Sequence, residues 1–501
     1  MATVVRDAVA LPVPQARHRD DVAVARPRLA RRLGDRTVEL IGLALGIGIL
    51  AVAAMDHQLS TDVFWSLTAG QSILAHHSLF GNDAFTYTEP HRHWIADEWG
   101  SEVVLASLFK VFGNAAFTIF AVGTGGLSLL CTRAYARALG ARGGRVAIMV
   151  VLLAMGLIGV VTQDRGLSFS LIWLPLELLI LTKARANPRW LWWLPVLFVL
   201  WVNTHGSILL GLAVLGLELG WALVPARLLE GAAGRGRSTH PRQLGVALVV
   251  SVLASCLSPY GPSLLRYDLG VSFNGQIGQY IEEWGSPNFH SIELLLSFTI
   301  PLVVLVLAVR ARRLMVLELT LTFGFLLATL HATRFVIYLF VAACGLAACL
   351  PARRSWGERA RRAAGALSVG LLIALVAAPS VPAGSVVSST PVKAFDFLSD
   401  HPGRVFTEYT WGDYSIVRHR ATFVDGRTDY FSGAVLSDYF AVSNLTTDPD
   451  SVLSRYDVSY VVWDRGTPLY TYLSHDPRWV VVDRTTPAVV FARRSVWDTT
   501  G

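Results

Sequence analysis

A chain of 501 residues that is 53% hydrophobic and only 16% charged, with a mean hydropathy of +0.48, is not composed like a set of soluble domains, and a protein crossing a membrane many times is the first reading. The formal charge of +7, from 43 Lys and Arg against 36 Asp and Glu, has to be located along the chain before it says anything about partners. The four cysteines, at 131, 256, 344 and 349, all fall inside apolar stretches, which leaves neither a disulfide framework nor a paired-cysteine metal or redox motif.

The first 36 residues form a tail with eight arginines, followed directly by an apolar window at 37 to 55 with no persuasive small-residue cleavage site, the pattern of a signal anchor. A helix of about 15 to 20 mostly apolar residues spans roughly 30 Å of hydrocarbon. Windows of that kind recur at 114 to 132, 146 to 162, 168 to 182, 190 to 203, 207 to 224, 244 to 258, 292 to 309, 314 to 330, 335 to 350 and 364 to 380. The expected class is therefore mostly α: a polytopic transmembrane helix bundle over 37 to 380 with about 11 spans, in which the fifth and sixth windows also fit a re-entrant hairpin.

Loops between these windows alternate in charge. Arg133, Arg137, Arg142 and Arg145 form one basic loop, Lys183, Arg185 and Arg189 the next, and Arg227, Arg235, Arg237 and Arg242 a third. Arg310, Arg312 and Arg313 follow, then Arg353, Arg354, Arg359, Arg361 and Arg362; with the tail these make 27 of the 43 basic residues. The loops between them hold only Arg92, Lys110, Arg165, Arg266 and Arg334. The positive-inside rule places the tail and the basic loops in the cytoplasm of a plasma membrane, and everything from 381 onward outside it. Topology accounts for the basic excess, and no nucleic acid is expected as a partner.

Acids collect on the outer side: Asp56, Asp62, Asp83, Glu89, Asp97, Glu98, Glu102, Asp164, Asp268, Glu282, Glu283 and Glu293. Such a rim suits general-base or cation-assisted chemistry on a substrate presented from the bilayer, although insertion alone also depletes outer loops of Lys and Arg. The first outer loop, 56 to 100, is too long for a plain connector. A short helix is predicted from Thr61 or Asp62, with Phe64, Trp65, Leu67, Ile73 and Leu74 available to the membrane interface. Gly81-Asn82-Asp83 reads as a turn, and Trp94 to Trp99, containing Asp97 and Glu98, opens a further interfacial or spanning segment.

The remaining outer connections are short and each carries a polar cluster: Gln163-Asp164-Arg165, Asn203-Thr204-His205-Gly206, Ser258-Pro259-Tyr260-Gly261, Glu282-Glu283-Trp284 and His331-Ala332-Thr333-Arg334. In a packed bundle these ends converge on one cavity with Asp62 at its mouth. Taken singly, His205 and Tyr260 also fit packed polar residues or caps, and Arg165 and Arg334 fit snorkelling anchors.

The arrangement of tail, span, long acidic outer loop, further spans and outer C-terminal domain resembles the GT-C membrane glycosyltransferases. It does so through Asp62-x-x-Trp65-x-x-x-x-Gly70, Asp83-x-Phe85-Thr-Tyr87-Thr, Glu98-Trp99, Asn203-x-His205-Gly206, Pro259-Tyr260-Gly261, Glu282-x-Trp284 and Trp411-Gly412-x-Tyr414, spread over nearly the whole chain. The resemblance implies a polyprenyl-phosphate sugar donor lying in the bilayer, a cell-envelope acceptor and an acid in the first outer loop, the position Asp62 takes. Asp83, Asp97 and Glu98 are the supporting acids. Arg165, Arg334 and Arg92 are the candidates for the donor phosphate, and Trp65, His205, Tyr260, Glu282 and Trp284 those for lining the substrate cavity. No cofactor is demanded, and a divalent cation among Asp62, Asp83 and Asp97 stays open.

Two other readings compete. Glu177 and Glu218 lie deep in apolar windows and would be coupling acids in a proton-driven lipid or glycan transporter, though no internal repeat supports alternating access. An inactive scaffold with the same fold is the other. From 381 to 501 the composition changes to 14 acids, 11 bases and short alternating runs, predicting a small α/β domain. Helices are expected from Thr390-Pro391 and Asp448-Pro449, and strands at 404 to 409, 459 to 463, 479 to 483 and 488 to 492. Trp411-Gly412-Asp413-Tyr414 and Asp425-Gly426-Arg427-Thr428-Asp429 read as loops, by turn chemistry or as an acceptor site. The first of them resembles the aromatic-acid motif of oligosaccharyltransferases at a different spacing, and that role is not carried over.

Overall fold

The computed structural model describes residues 18–56, 60–90, 92–161, 163, 165–225, 237–272, 281–311, 315–350 and 390–500. The chain begins with α1 (His18–Asp56) and a close pair, α2 (Asp62–His76) and α3 (Trp99–Phe112). Next come α4 (Ala115–Ala138), α5 (Gly144–Val161) and α6 (Leu167–Ala184), then a 3-10 stretch, Pro188–Trp193, that runs into α7 (Leu194–Val202). The helical part closes with α8 (Ile208–Leu223), α9 (Pro241–Ala254), α10 (Pro262–Ser272), α11 (Ile292–Arg310), α12 (Val316–His331) and α13 (Val336–Cys349). Among the described residues four segments are long and apolar enough to cross a membrane, 34–55, 115–138, 144–161 and 167–184, and six shorter apolar helices accompany them. The first ten apolar windows each coincide with one of these helices, while the window at 364 to 380 lies outside the described residues.

The bundle core runs from Leu50, Leu129 and Leu153 through Leu174, Phe198 and Trp201 to Leu339 and Val341, all buried. Polar ties sit at the end of the bundle that carries the basic loops. Glu39 is fully buried in α1, where it accepts from Arg133 and Arg137 of α4 and, at 2.9 Å, from the Gly143 N–H. Arg185, just past α6, donates to Glu218 of α8 and to Glu318 of α12, each at 3.1 Å. Glu218 thus belongs to an ion-paired junction of three helices, the geometry that makes a charge tolerable inside a bundle. Glu177 is fully buried in α6, and neither of its carboxylate oxygens has a hydrogen-bond partner among the described residues.

The C-terminal domain comprises α14 (Val392–Ser399), β1 (Arg404–Thr407), α15 (Trp411–Val417), α16 (Gly433–Ser443), α17 (Pro449–Arg455), β2 (Val458–Asp464), α18 (Pro468–His475), β3 (Trp479–Arg484), β4 (Ala488–Arg493) and α19 (Arg494–Thr500). Its sheet has the order β1-β2-β4-β3, with β1 parallel to β2 and the other pairs antiparallel. Alternation along the strands gives each face its own core. Tyr460, Val462 and Val490 pack against Phe395 and Leu398 of α14, and Phe406, Val461, Trp463 and Phe491 pack on the opposite face.

That second face decides where the site lies, because its cluster is completed by the long segment between α1 and α3. Ala69, Trp94 and Ala96 are buried in it, with Trp65, Phe80, Phe85, Tyr87 and Trp99 packed at its edge. The Tyr87 hydroxyl donates to the Val405 carbonyl at 2.9 Å, Thr88 Oγ1 to the Phe423 carbonyl at 2.8 Å, and Thr86 forms a parallel bridge with Thr422. Here the structure departs from the sequence reading, which left α2 and its loop at the membrane interface. Val63 and Leu67 are buried against Leu105, Phe117 and Phe120 instead, and Phe64 meets Tyr414 of the C-terminal domain with ring centroids 5.3 Å apart. Aromatic residues that an interface would suit find larger apolar area to cover between two protein layers. The Trp411-Gly-Asp-Tyr segment, expected as a loop, is the first turn of α15.

Candidate active site

The site forms where α2, the turn before α6, the turns at 203–206 and 282–284, and the loop 425–429 come together. Asp62 is the first residue of α2, a position where the unpaired amides of the helix start favour a carboxylate. Its Oδ2 accepts from Arg165 Nη1 at 2.9 Å, and Arg165 Nη2 donates to Glu283 Oε2 at 2.7 Å. The other oxygen of Glu283 lies 3.9 Å from Arg334, whose guanidinium rests 4.1 Å over the ring of Trp284. Two carboxylates and two guanidiniums therefore alternate in one line across the site.

Behind Asp62 stands Glu98. The Ser207 N–H donates to His205 Nδ1 at 2.9 Å, which assigns the His205 proton to Nε2, and Nε2 faces Glu98 Oε1 at 3.2 Å. Burial, together with Arg334 and Arg165, holds the His205 pKa well below its ordinary value, so the ring is a neutral donor. The second Glu98 oxygen accepts the Gly166 N–H at 3.2 Å. Burial, partly offset by Arg165 and reinforced by Asp62, raises the Glu98 carboxyl from 4.5 to about 7. Asp268 is pushed to about 8 by burial and then by Glu98, and Asp97 well above its ordinary range by burial, Glu98 and Asp429. Gly206 lets Asp97 and Asp268 approach, since a Cβ there would stand 3.3 Å from Asp97 Oδ2 and 2.8 Å from Asp268 Oδ1.

Glu98 gives the folded chain a proton that the unfolded chain releases between pH 4.5 and about 7. Its contribution to stability is therefore present at low pH and is lost as pH rises through about 7. Glu98→Gln is expected to flatten that part of the profile. Thermal melts of both proteins over this range check it, and identical slopes would show that the titrating group is elsewhere.

The C-terminal domain adds two segments that the sequence offered only as turns or an acceptor site. Asp413 of α15 is fully buried and accepts the Gly426 N–H at 2.6 Å. A Cβ at Gly426 would stand 2.6 Å from Asp62 Oδ1 and 2.9 Å from Asp413 Oδ2, so carboxylates from both domains face one glycine. Arg427 holds this loop down. It pairs with Asp83 at 2.6 Å and with both oxygens of Asp425, and lies 4.5 Å from the Trp94 ring centroid and 4.9 Å from that of Tyr430. Tyr267 of α10 donates to Asp429, which brings a further helix onto the same loop.

The expected residues separate into two groups. Asp62, Arg165, Arg334, Trp284, Glu98 and His205 come together, with Asp97 beside them. Asp83 is in the same region as a structural anchor: one oxygen pairs with Arg427 and the other accepts from the Phe85 and Thr86 amides and the Thr86 hydroxyl. Tyr260 accepts the Ala96 N–H at 3.1 Å, and Trp65 packs edge-on against Trp94. Arg92 pairs with Glu89 on the surface and lies over Tyr430. The backbone of Glu282 stands in the 3-10 turn Glu282–Trp284. Glu283, Asp413, Asp425, Arg427 and Asp429 were not among the expected site residues; the Asp-Gly-Arg-Thr-Asp run was a visible signal, but its neighbours 344 residues away were not.

As for a metal ion, no group of three His, Cys, Asp or Glu side chains able to hold one occurs among the described residues. The cation site that the sequence left open among Asp62, Asp83 and Asp97 is not assembled among the described residues, where both oxygens of Asp83 face Arg427 and its own loop.

No family model matches this sequence, and no curated protein does. Solved structures match its fold. The archaeal oligosaccharyltransferase AglB from Archaeoglobus fulgidus, in complex with an inhibitory peptide and a dolichol-phosphate, aligns with 86% of this chain and 69% of its own at TM-score 0.63 and 12% identity. ArnT from Cupriavidus metallidurans, bound to undecaprenyl phosphate, aligns with 91% of this chain and 98% of its own at TM-score 0.51 and 15% identity. An Archaeoglobus fulgidus oligosaccharyltransferase in complex with Zn and sulfate also matches, at TM-score 0.56 and 12% identity over 85% of this chain and 68% of its own. Both neighbours are GT-C superfamily membrane glycosyltransferases, and the fold of this chain is theirs.

Proposed function

We propose that this chain is a membrane glycosyltransferase that moves a sugar from a polyprenyl-phosphate donor to a cell-envelope glycan, lipid or protein acceptor on the extracytoplasmic face. The observation that carries the reading is the contact of Asp62 with Arg165 in line with Arg334, which sets one base beside two cations at one end of an apolar bundle. The fold supports it, since one neighbour is bound to undecaprenyl phosphate and another to a dolichol-phosphate. The orientation rests on the basic residues Arg133, Arg137 and Arg185, which belong to the opposite end.

In the reaction, an acceptor hydroxyl oxygen attacks the anomeric carbon of the lipid-linked sugar, and the bond from that carbon to the phosphate oxygen breaks with its electron pair leaving on the phosphate. Asp62 takes the hydroxyl proton. Arg165 and Arg334 neutralise charge that develops on the departing polyprenyl phosphate, a contribution of a few kcal/mol for each well-placed donor. The test is label transfer: purified protein in lipid, given radiolabelled polyprenyl-phosphate mannose or arabinose and a cell-envelope extract. Label entering an acceptor supports the reading, and folded protein that transfers from no lipid-linked sugar overturns it.

A further inference from the structure

Glu283 occupies the place between the two guanidiniums where an incoming anion would be drawn. Arg165 Nη2 donates to its Oε2 at 2.7 Å, and Arg334 Nη1 lies 3.9 Å from its Oε1. Among the described residues nothing accepts a hydrogen bond from Arg334, although its side chain is only 20% exposed and is held flat over Trp284. Its guanidinium therefore keeps aimed donors that no described residue accepts from. Burial alone would raise the Glu283 carboxyl, yet Arg165 and Arg334 outweigh it and hold the pKa below its ordinary value, so Glu283 sits there as an anion.

The charges then decide the matter. Among the described residues Asp62 and Glu283 against Arg165 and Arg334 already balance, and the acids nearby, Glu98, Asp97 and Asp413, add no cation. A phosphodiester arriving at the same guanidiniums brings a further negative charge into a poorly solvated place, where an uncompensated charge is expensive. Balance is restored when the phosphate takes the position of the Glu283 carboxylate. We propose that Glu283 is an internal counter-ion that the donor phosphate displaces, so that it sets the affinity for the lipid carrier and keeps the Arg165–Arg334 pair ordered between turnovers. This rests on the polyprenyl-phosphate reading above.

A site whose binding-competent state is held back by an internal competitor binds more weakly by the fraction of time it is open, and removing the competitor returns that loss. The experiment uses the full chain in nanodiscs and measures binding of undecaprenyl phosphate, with undecaprenol, which has the same tail and no phosphate, as the comparison. Glu283→Gln keeps the shape and removes the charge, and it is expected to tighten undecaprenyl phosphate binding roughly tenfold, the scale of one charged hydrogen bond, with undecaprenol unchanged. Glu283→Asp, which keeps the charge on a shorter stem, is expected to lie between Gln and wild type and serves if Gln does not fold. Arg334→Gln is expected to weaken the phosphate lipid several-fold.

Equal or weaker binding of undecaprenyl phosphate by folded Glu283→Gln, alongside measurable wild-type binding, overturns the counter-ion and leaves the transferase reading standing. Tightening that extends equally to undecaprenol also overturns it, since the effect would then belong to the tail. Absence of binding by wild type and both Glu283 variants removes the donor reading and this inference together.

Discussion

Replacing Asp62 with asparagine is expected to lower sugar transfer by about two to four orders of magnitude, the usual range for loss of a general base, while the protein stays folded. Two features of the site make the second half of that expectation firm. Burial, outweighing the help of Arg165, raises the Asp62 carboxyl above its ordinary range, so the ionised form is a net strain on the folded state. Asparagine removes that strain and still offers Arg165 a carbonyl oxygen. Asp62→Ala is the harsher companion, because it leaves one edge of Arg165 without an acceptor. Label transfer measured beside a thermal melt separates the cases: a melt like wild type with transfer lost places the proton acceptor at Asp62. Transfer within a few-fold of wild type in either variant would send the search to Glu98, the neighbouring acid whose pKa lies near 7.

The largest stability effect is expected at Arg427. Its side chain is 2% exposed, forked onto Asp425, paired with Asp83 and set among the rings of Phe85, Trp94 and Tyr430. Arg427→Met keeps the apolar packing but strands two fully buried carboxylates, a change that costs about 3–5 kcal/mol in comparable buried networks. Arg427→Lys is expected to fare little better, since one ammonium on a flexible stem cannot fork onto Asp425 and reach Asp83 together. Thermal unfolding and limited proteolysis of the C-terminal domain are the readouts. Adding Asp83→Asn and Asp425→Asn to Arg427→Met should recover part of the loss, because the stranded charges carry most of it. A melting profile for Arg427→Met that matches wild type would mean that the C-terminal domain is not held to the segment between α1 and α3 through this residue.

Much of this architecture was legible because its causes are local. The first ten apolar windows of helical length were found as helices, whose bonding within each segment satisfies the backbone. The strands of the C-terminal sheet were readable from alternation, within a residue or two at their ends. Asp62 was visible as an acid at a helix start soon after the first span. In contrast, the same local reasoning misjudged Phe64, Trp65 and Leu67, whose amphipathic pattern is equally suited to a lipid interface and to a protein layer. A pattern of apolar positions specifies a buried face but not the partner that buries it.

The sequence by itself determined an apolar helical bundle, connections that alternate between basic and acidic, a small C-terminal α/β unit and the polar helix ends, because periodicity, length and charge act within a few residues. Only the tertiary structure decided which of those polar groups do what. It spent Asp83 on Arg427, paired Glu218 with Arg185, and set Glu283 between Arg165 and Arg334. It also brought Gly426 and Asp413 from the far end of the chain to within reach of Asp62. A carboxylate becomes a base, an anchor or a counter-ion through the charge that stands a few ångströms away, and in this fold that charge is almost always contributed by a distant part of the chain.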